Sequence, residues 1–514
     1  MQTVIRYCWH IRFFLLGSAF LLVPLTIDPH IQRGSGPETK FRVFEFLVLC
    51  ILFFSIPSLF EKRRMPWFSF LSSLCLGFAG FLVIRACFDP HWHFALDHAF
   101  QLAAWLVFAV LLVHTCRDWP NFRHLMFIGV LVQIPLVVYA LGQVHGVDIY
   151  FDYILKKPWR WENKLISAER SQILALGNPN FYASYASLLL IWLAAFFMAA
   201  RERWQRIAWA LYMAVVFYTL IFTFTRGVWL SLLFTVCVLA LFLILKTACQ
   251  ETDTRLRGKR MLQYAMILVF VLMIVAGVYA LGKGETGGPI AFMQERFAHG
   301  FTFRDTSLRA RPLLWYASIQ MWNEAPVFGI GLGQFGAQFI DTLYHIASTL
   351  DAARVQAVAK NMQTLFALRS HNDYLQFLAE TGAVGYGWFL LLLLTFLAHA
   401  GRRVWKRGET DNPFLFACFA IVIFIALQCA FDFPLRLPAT SILFSAALGG
   451  ILITEQKEKV IARLTIPRFL FQTFIALGVL GVVLASSWVV LSHAMASHHF
   501  RKAQVRVDRL GTYS

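Results

Sequence analysis

Along most of this chain, apolar runs long enough to cross a bilayer alternate with short polar hinges. Runs of about 17–25 apolar residues, the length a helix needs to span a hydrocarbon core, fall near 11–27, 41–60, 66–88, 99–116, 122–142, 181–200, 205–224, 227–246, 261–281, 383–400, 413–431, 438–454 and 469–494. The pattern predicts an all-α polytopic membrane protein of about 12–14 spanning helices. The runs at 205–224 and 227–246 are parted only by Thr225-Arg226-Gly227, so they read as two helices or as one bent element. One stretch breaks the rhythm. From Gly282 to Gly382 no run is long enough to span, and an insert of that length far exceeds an ordinary helix connection.

Four regions follow. Residues 1–281 carry about nine spans and a medium-long loop at 143–180, while 282–382 form a large loop with short helices. Residues 383–495 carry the remaining spans, and 496–514 are a basic tail. The loop at 143–180 ends in Gly177-Asn178-Pro179-Asn180, a turn-rich group that should start the next helix. Arg6 and Arg12 precede the first apolar run with no small-residue cleavage site, which reads as an uncleaved first span.

Charge sets the orientation. With the N-terminus inside, the hinges at 61–66, 117–124, 201–206, 246–260, 401–412 and 455–468 all fall inside, and all are basic. Lys and Arg concentrate on the cytoplasmic side of membrane proteins, so the insert lies outside. It holds eight Lys or Arg against eight Asp or Glu. Thirteen spans would leave the basic tail outside as well, so either one span is miscounted or the tail is an exception. The net charge of +18 sits in these separate hinges and not in one patch, which argues against nucleic acid. Only 14% of residues are charged and 59% are hydrophobic, which excludes an ordinary soluble domain. The nine cysteines include no CxxC pair, and His91 and His93 lack further ligands nearby, so neither a disulfide framework nor a metal site is expected.

Candidate chemistry gathers at the outer ends of the helices. Arg226 lies at the outer boundary of two spans, where a positive anchor is not expected and an ionisable group usually faces a cavity or a partner. Arg309 and Arg311 precede Pro312 and a predicted amphipathic helix over 313–323. Pro312 in its first turn would put both guanidiniums beside a helix N-terminus, a setting suited to anions such as a pyrophosphate. His371, Asn372 and Asp373 open a second short pattern, with His371, Tyr374, Leu375 and Leu378 on one face and Gly382 as its stop. A histidine fixed there could serve as a general base. Gly329-Ile330-Gly331-Leu332-Gly333 lacks the strand-to-helix context of a nucleotide loop and reads as a turn. Asp432, between aromatic residues on the outer side, either positions a substrate or pairs with Arg436.

Taken in order, Thr225-Arg226-Gly227-Val228-Trp229-Leu230, Arg311 with Trp315, Pro326 through Gly333, His371-Asn372-Asp373-Tyr374-Leu375-Gln376 and Glu380-Thr381-Gly382 resemble the O-antigen ligase/polymerase superfamily. The resemblance covers roughly residues 175–440. It implies a glycosyltransferase of the bacterial inner membrane that needs neither metal nor cofactor. The donor would be a glycan on undecaprenyl pyrophosphate, and the active site would face the periplasm. It implies Arg226 with Arg311 as donor-binding groups and His371 as the loop histidine, read here as the catalytic base, and Asn372, Tyr374, Glu380 and Asp432 are taken as supporting residues. Pro312 departs from the family pattern and leaves open whether Arg309 or Arg311 faces the donor. The acceptor, whether lipid A core, a growing glycan or a protein hydroxyl, stays open too. A transporter of the same lipid-linked glycan is the rival from another class, but the chain shows no internal repeat of the kind transporters carry.

Overall fold

The computed structural model describes residues 2–26, 37–57, 69–145, 147, 176, 178–223, 225–264, 266, 306–348, 369–406 and 412–455. Among them there is no strand. The helices are α1 (Gln2–Leu25), α2 (Pro37–Phe53), α3 (Phe70–Cys87), α4 (Trp92–Cys116), α5 (Trp119–Leu131), α6 (Ile134–Val144), α7 (Pro179–Ala199), α8 (Arg203–Ile221) and α9 (Arg226–Gln250). After the insert begins come α10 (Thr306–Glu324), α11 (Gln334–Ser348), α12 (Asp373–Trp405), α13 (Pro413–Gln428), a single 3₁₀ turn at Pro434–Arg436, and α14 (Pro438–Glu455). Nine helical segments among the described residues are long and apolar enough to cross a membrane, counting α5 and α6 as one. The molecule is an all-α polytopic membrane protein. The apolar runs expected at 261–281 and 469–494 fall almost wholly outside the described residues.

Local sequence explains the helix ends. Asn178 and Asn372 cap α7 and α12 through their side-chain oxygens, accepting from Asn180 N and Leu375 N, and Asp118 does the same for α5. Pro179 occupies the first turn of α7, where its missing N–H costs nothing. Asn178, Pro179 and Asn180 of the expected turn therefore open α7 as their side chains dictate. Between α8 and α9 the chain leaves the helix at Phe222 and re-enters at Arg226, so these are two helices.

The centre of the bundle is α14, buried along its whole length. Small residues allow this, since a Cβ on Gly449 would crowd Leu112 of α4 and one on Gly450 would crowd Cys418 of α13. Helices α4, α7 and α13 pack around it, whereas α8 and α9 lie at the periphery with much of their apolar surface exposed to lipid.

Three sequence expectations change. The run at 122–142 is not one straight helix: it breaks at Val132-Gln133, ahead of Pro135. The helix predicted over 313–323 begins at Thr306, so Pro312 sits inside α10 and not in its first turn. Leu308, four residues before Pro312, then has no helical N–H to accept from. The short helix ending at Gly382 is instead the N-terminal part of α12, because the chain passes a single non-helical residue there (φ 64°, ψ −170°) and continues as helix to Trp405.

Candidate active site

The site begins with a polar stripe on α12. Asp373, Gln376 and Glu380 recur at helical spacing and all three are fully buried. Arg436, on the turn between α13 and α14, closes over them. Its Nε donates to Asp373 Oδ1 at 3.2 Å and its Nη2 to Glu380 Oε2 at 2.8 Å, with the guanidinium 5.2 Å from the centre of the Phe377 ring. Gln376 Nε2 donates to the second oxygen of Glu380 at 2.9 Å, and Leu435 N donates to Asp373 Oδ2 at 3.3 Å. Burial alone would lower the pKa of Arg436, but Glu380 and Asp373 outweigh it and hold the pKa above its ordinary value. A charge group this buried is tolerable because the fork of Arg436 is matched on both carboxylates, and Arg369 adds a further positive charge near them.

Backbone joins the same elements. Asp373 N, an unpaired donor at the start of α12, donates to Cys429 O just past the end of α13 at 2.8 Å. Tyr374 Oη donates to Ala426 O at 2.6 Å, which satisfies another carbonyl at that helix end. Tyr374 thus fastens α12 to α13.

Just outside this locked corner stands His371. Its Nδ1 is 3.1 Å from Asp432 Oδ1, and its ring packs against Phe433 at 5.1 Å between centroids. Asp432 is buried while the His371 side chain is 37% exposed, so the imidazole remains open to a reactant. His371 has a φ of 53°, a left-handed conformation uncommon outside glycine, held by the hydrogen bonds of Ser370 to Asn372 and Gln376 on either side. Asn372, the helix cap, fixes the exit direction. His371 therefore precedes α12 and is not part of its face, contrary to the expected helical pattern. The pairing of Asp432 with Arg436 is likewise not formed, because Arg436 is taken by Asp373 and Glu380 and Asp432 goes to His371.

The N-termini of α7 and α9 meet the same turn. A Cβ on Gly227 would come within 3.2 Å of Phe431 Cβ, so glycine lets α9 start against the residue beside Asp432. Thr225 Oγ1 donates to Asn180 Oδ1 at 3.1 Å, and the Phe181 ring meets Phe433 edge-on at 5.6 Å. Three helix N-termini thus converge around Phe431-Asp432-Phe433, each presenting a partial positive charge. Arg226 is the first residue of α9 and half-buried there.

The insert contributes differently. Leu314, Ala317 and Met321 of α10 form a small core with Phe335, Phe339, Leu343 and Ile346 of α11 and with Ala379 of α12. Arg311, half-buried, is one turn before Leu314 on this packed face, while Arg309 is in the first turn of the same helix. Because α10 begins at Thr306, Arg311 lies inside the helix and the two arginines do not flank its N-terminus as expected. The described hydrogen bonds join His371 directly to Asp432, while Asn372, Tyr374 and Glu380 belong to the adjoining cap and N-terminal part of α12, with Arg226 at a neighbouring helix start. His91 and His93 are exposed at the start of α4, and among the described residues no cluster of three or more His, Cys, Asp or Glu is arranged to hold a metal.

Sequence reasoning missed Arg436 as the residue that organises the corner, and with it Asp373 and Gln376. The signal was present in the spacing of Asp373, Gln376 and Glu380, a polar stripe leading into an apolar span.

A polytopic helical membrane protein with an imidazole–carboxylate pair among helix N-termini is a class defined by its own geometry. Residues 211–390 match the family model described as O-Antigen ligase, which supports the resemblance to the O-antigen ligase/polymerase superfamily. No curated protein matches the chain. The matched segment includes Arg226, Arg309, Arg311, His371 and Glu380, whereas Asp432 and Arg436 lie beyond it. Such a family implies a glycosyltransferase of the ligase or polymerase type that acts on lipid-linked glycans in a membrane.

Proposed function

We propose that this protein transfers a glycan from undecaprenyl pyrophosphate to an acceptor hydroxyl on the periplasmic side of the bacterial inner membrane, with lipid A core as the acceptor. The observation that carries the reading is the His371–Asp432 pair, 3.1 Å apart and set among three helix N-termini. In the tautomer that this hydrogen bond favours, Nδ1–H donates to Asp432 and Nε2 is left as an acceptor. Nε2 takes the proton from the acceptor hydroxyl as its oxygen attacks the anomeric carbon. The bond from that carbon to the pyrophosphate oxygen breaks, and its electron pair leaves with undecaprenyl pyrophosphate. Attack from the opposite face inverts the anomeric centre. Asp432 stabilises the imidazolium that forms, as the carboxylate of a catalytic triad does.

The leaving group gains negative charge, so fixed positive groups lower the barrier. Arg226 and the start of α9 supply one such group. Arg311 or Arg309 supplies another when α10 meets the donor. Periplasmic placement draws support from the opposite end of the bundle, where Lys246 and Arg403 cap helix ends through Val404 O and Thr454 O beside the basic hinges.

The test uses the purified full chain in nanodiscs with a chelator and undecaprenyl-pyrophosphate-linked glycan. Glycan on lipid A core supports the ligase reading. A ladder from donor alone makes the protein a polymerase, glycan on an acceptor protein makes it a protein glycosyltransferase, and donor carried across the bilayer without transfer makes it a transporter. His371→Ala is expected to lower transfer by about 10²–10⁴-fold with folding intact, the range for loss of a general base, and Arg311→Ala by a similar factor through the leaving group. Transfer retained in His371→Ala would remove the base assignment.

A further inference from the structure

The break in α12 at Gly382 frees backbone groups on both of its sides, and they are satisfied by a segment of the insert. Ile330 N and Gly331 N donate to Ala379 O and Glu380 O at 2.9 and 3.1 Å, while Ala383 N and Val384 N donate to Pro326 O and Val327 O at 2.8 and 3.2 Å. The glycines make room for this. Gly329 (φ 71°), Gly331 (φ 114°) and Gly382 (φ 64°) all adopt conformations that L side chains rarely reach, and a Cβ on Gly329 or Gly382 would run into the opposing backbone. The turn that joins α10 to α11 is therefore laid across the break like a splint.

One side chain from elsewhere in the fold holds the splint. Arg85, in the last turn of α3, donates from Nε to Phe328 O at 3.1 Å and from Nη2 to Gly329 O at 3.0 Å. Its Nη1 lies 3.5 Å from Asp89 Oδ2, and Asp89 in turn accepts from His91 N at 2.9 Å ahead of α4. A Cβ on Gly331 would fall 3.0 Å from Asp89 Cγ, so the carboxylate and the guanidinium clasp the turn from one side while α12 holds it from the other.

We propose that Arg85 is a positioning residue for glycosyl transfer: by fixing the Phe328–Gly329 carbonyls it sets α10, which bears Arg311, against the N-terminal part of α12, which follows His371. This rests on the functional reading given above. Arg85 is outside the matched family segment and touches neither His371 nor Asp432 in the described contacts, so its effect on transfer would run through the splint. Arg85 reaches the two carbonyls from two separate nitrogens of one rigid planar fork, a geometry that the single ammonium of lysine, on its flexible stem, does not reproduce.

The experiment combines hydrogen–deuterium exchange with steady-state kinetics on the full chain in nanodiscs. In Arg85→Met, peptides covering 326–333 and 379–386 are expected to exchange about tenfold faster or more, because local opening no longer has to break two charged hydrogen bonds. Peptides of α7 should be unchanged, which shows that the bundle is folded. The kcat should fall by about 10- to 100-fold through misplacement of groups that must act together, with the donor KM within about twofold, and Arg85→Lys should fall between wild type and Arg85→Met in both readouts. Unchanged exchange in the two peptides overturns the clasp. Faster exchange with unchanged kcat overturns the positioning role. A wild-type chain that transfers nothing sinks the glycosyltransferase reading, and in that case the exchange data still decide the clasp.

Discussion

Two helix breaks in this molecule meet the same physical problem with different means. At Val132-Gln133 the chain slips from α5 into α6, Gln133 N turns to Val130 O, and Gly129 O loses its helical donor. In α1, Pro24 deprives Phe20 O of its donor in the same way, since proline has no N–H. One side chain repairs both, with Gln133 Nε2 donating to Phe20 O at 2.6 Å and Gly129 O at 2.8 Å, and Tyr185 Oη donates to Gln133 Oε1. Every partner belongs to the bundle, and Gln133 is buried. At Gly382 the repair is made by backbone brought from the insert. A break closed within the bundle only holds helices together. A break closed by the insert also fixes where the insert sits, so the second kind can place chemistry and the first cannot.

That contrast predicts different consequences for the two regions. The largest effect is expected from Arg436→Met, which takes from Asp373 and Glu380, buried on the N-terminal part of α12, the cation that hydrogen-bonds both and leaves them only the weaker influence of Arg369. The cost should be about 3–5 kcal/mol, the range for stripping one partner from a buried ion group. Transfer by the surviving folded fraction should fall as well, because His371 precedes the segment that Arg436 anchors. Unfolding in detergent micelles gives the first quantity and activity per folded molecule the second. A stable but inactive variant would mean that the corner serves chemistry alone.

Gln133→Leu comes next. Two buried carbonyls and a tyrosine hydroxyl lose their partner, for about 3 kcal/mol when each unsatisfied group costs about 1–3 kcal/mol and some relaxation occurs. Here kcat per folded molecule should match wild type. A large fall in kcat at unchanged stability would erase the distinction between the breaks.

How far the sequence discloses this arrangement follows from the range of the interactions. Hydropathy, the cap at Asn178 and the glycine turn at 329–333 are encoded by neighbours, and they appear in the structure where those neighbours put them. His371 and Asp432 could be picked out as polar residues on the same side of the bundle, and they do meet, whereas Glu380, noticed only through the family resemblance, pairs with Arg436. Their pairings could not be read, because Asp432 is 61 residues from His371 and Arg436 is 63 from Asp373. Gly382 shows the limit most clearly. A glycine closing a helical pattern is a sound stop signal, and the backbone there is indeed non-helical. The chain re-enters the helix at once because distant amides and carbonyls complete the ladder, and no residue near 382 announces them. Pro312 fails as a first-turn marker for a related reason, since α10 is held by a core shared with α11 and α12 that outweighs one missing hydrogen bond.

The smallest expected effect is also the sharpest probe of how Gln133 works. Tyr185→Phe removes one hydroxyl and leaves both donations from Gln133 Nε2 in place. If the glutamine acts mainly as a cap on two orphan carbonyls, the loss should be about 1 kcal/mol, the net worth of a single buried hydrogen bond. If Tyr185 instead polarises the amide and fixes its orientation, the bonds strengthen one another, and the loss should approach that of Gln133→Leu. The double variant Tyr185→Phe with Gln133→Leu separates these cases through its coupling energy. A small loss for Tyr185→Phe alone, with Gln133→Leu dominating the pair, would place the repair of both Pro24 and the α5–α6 break in the amide group of one residue.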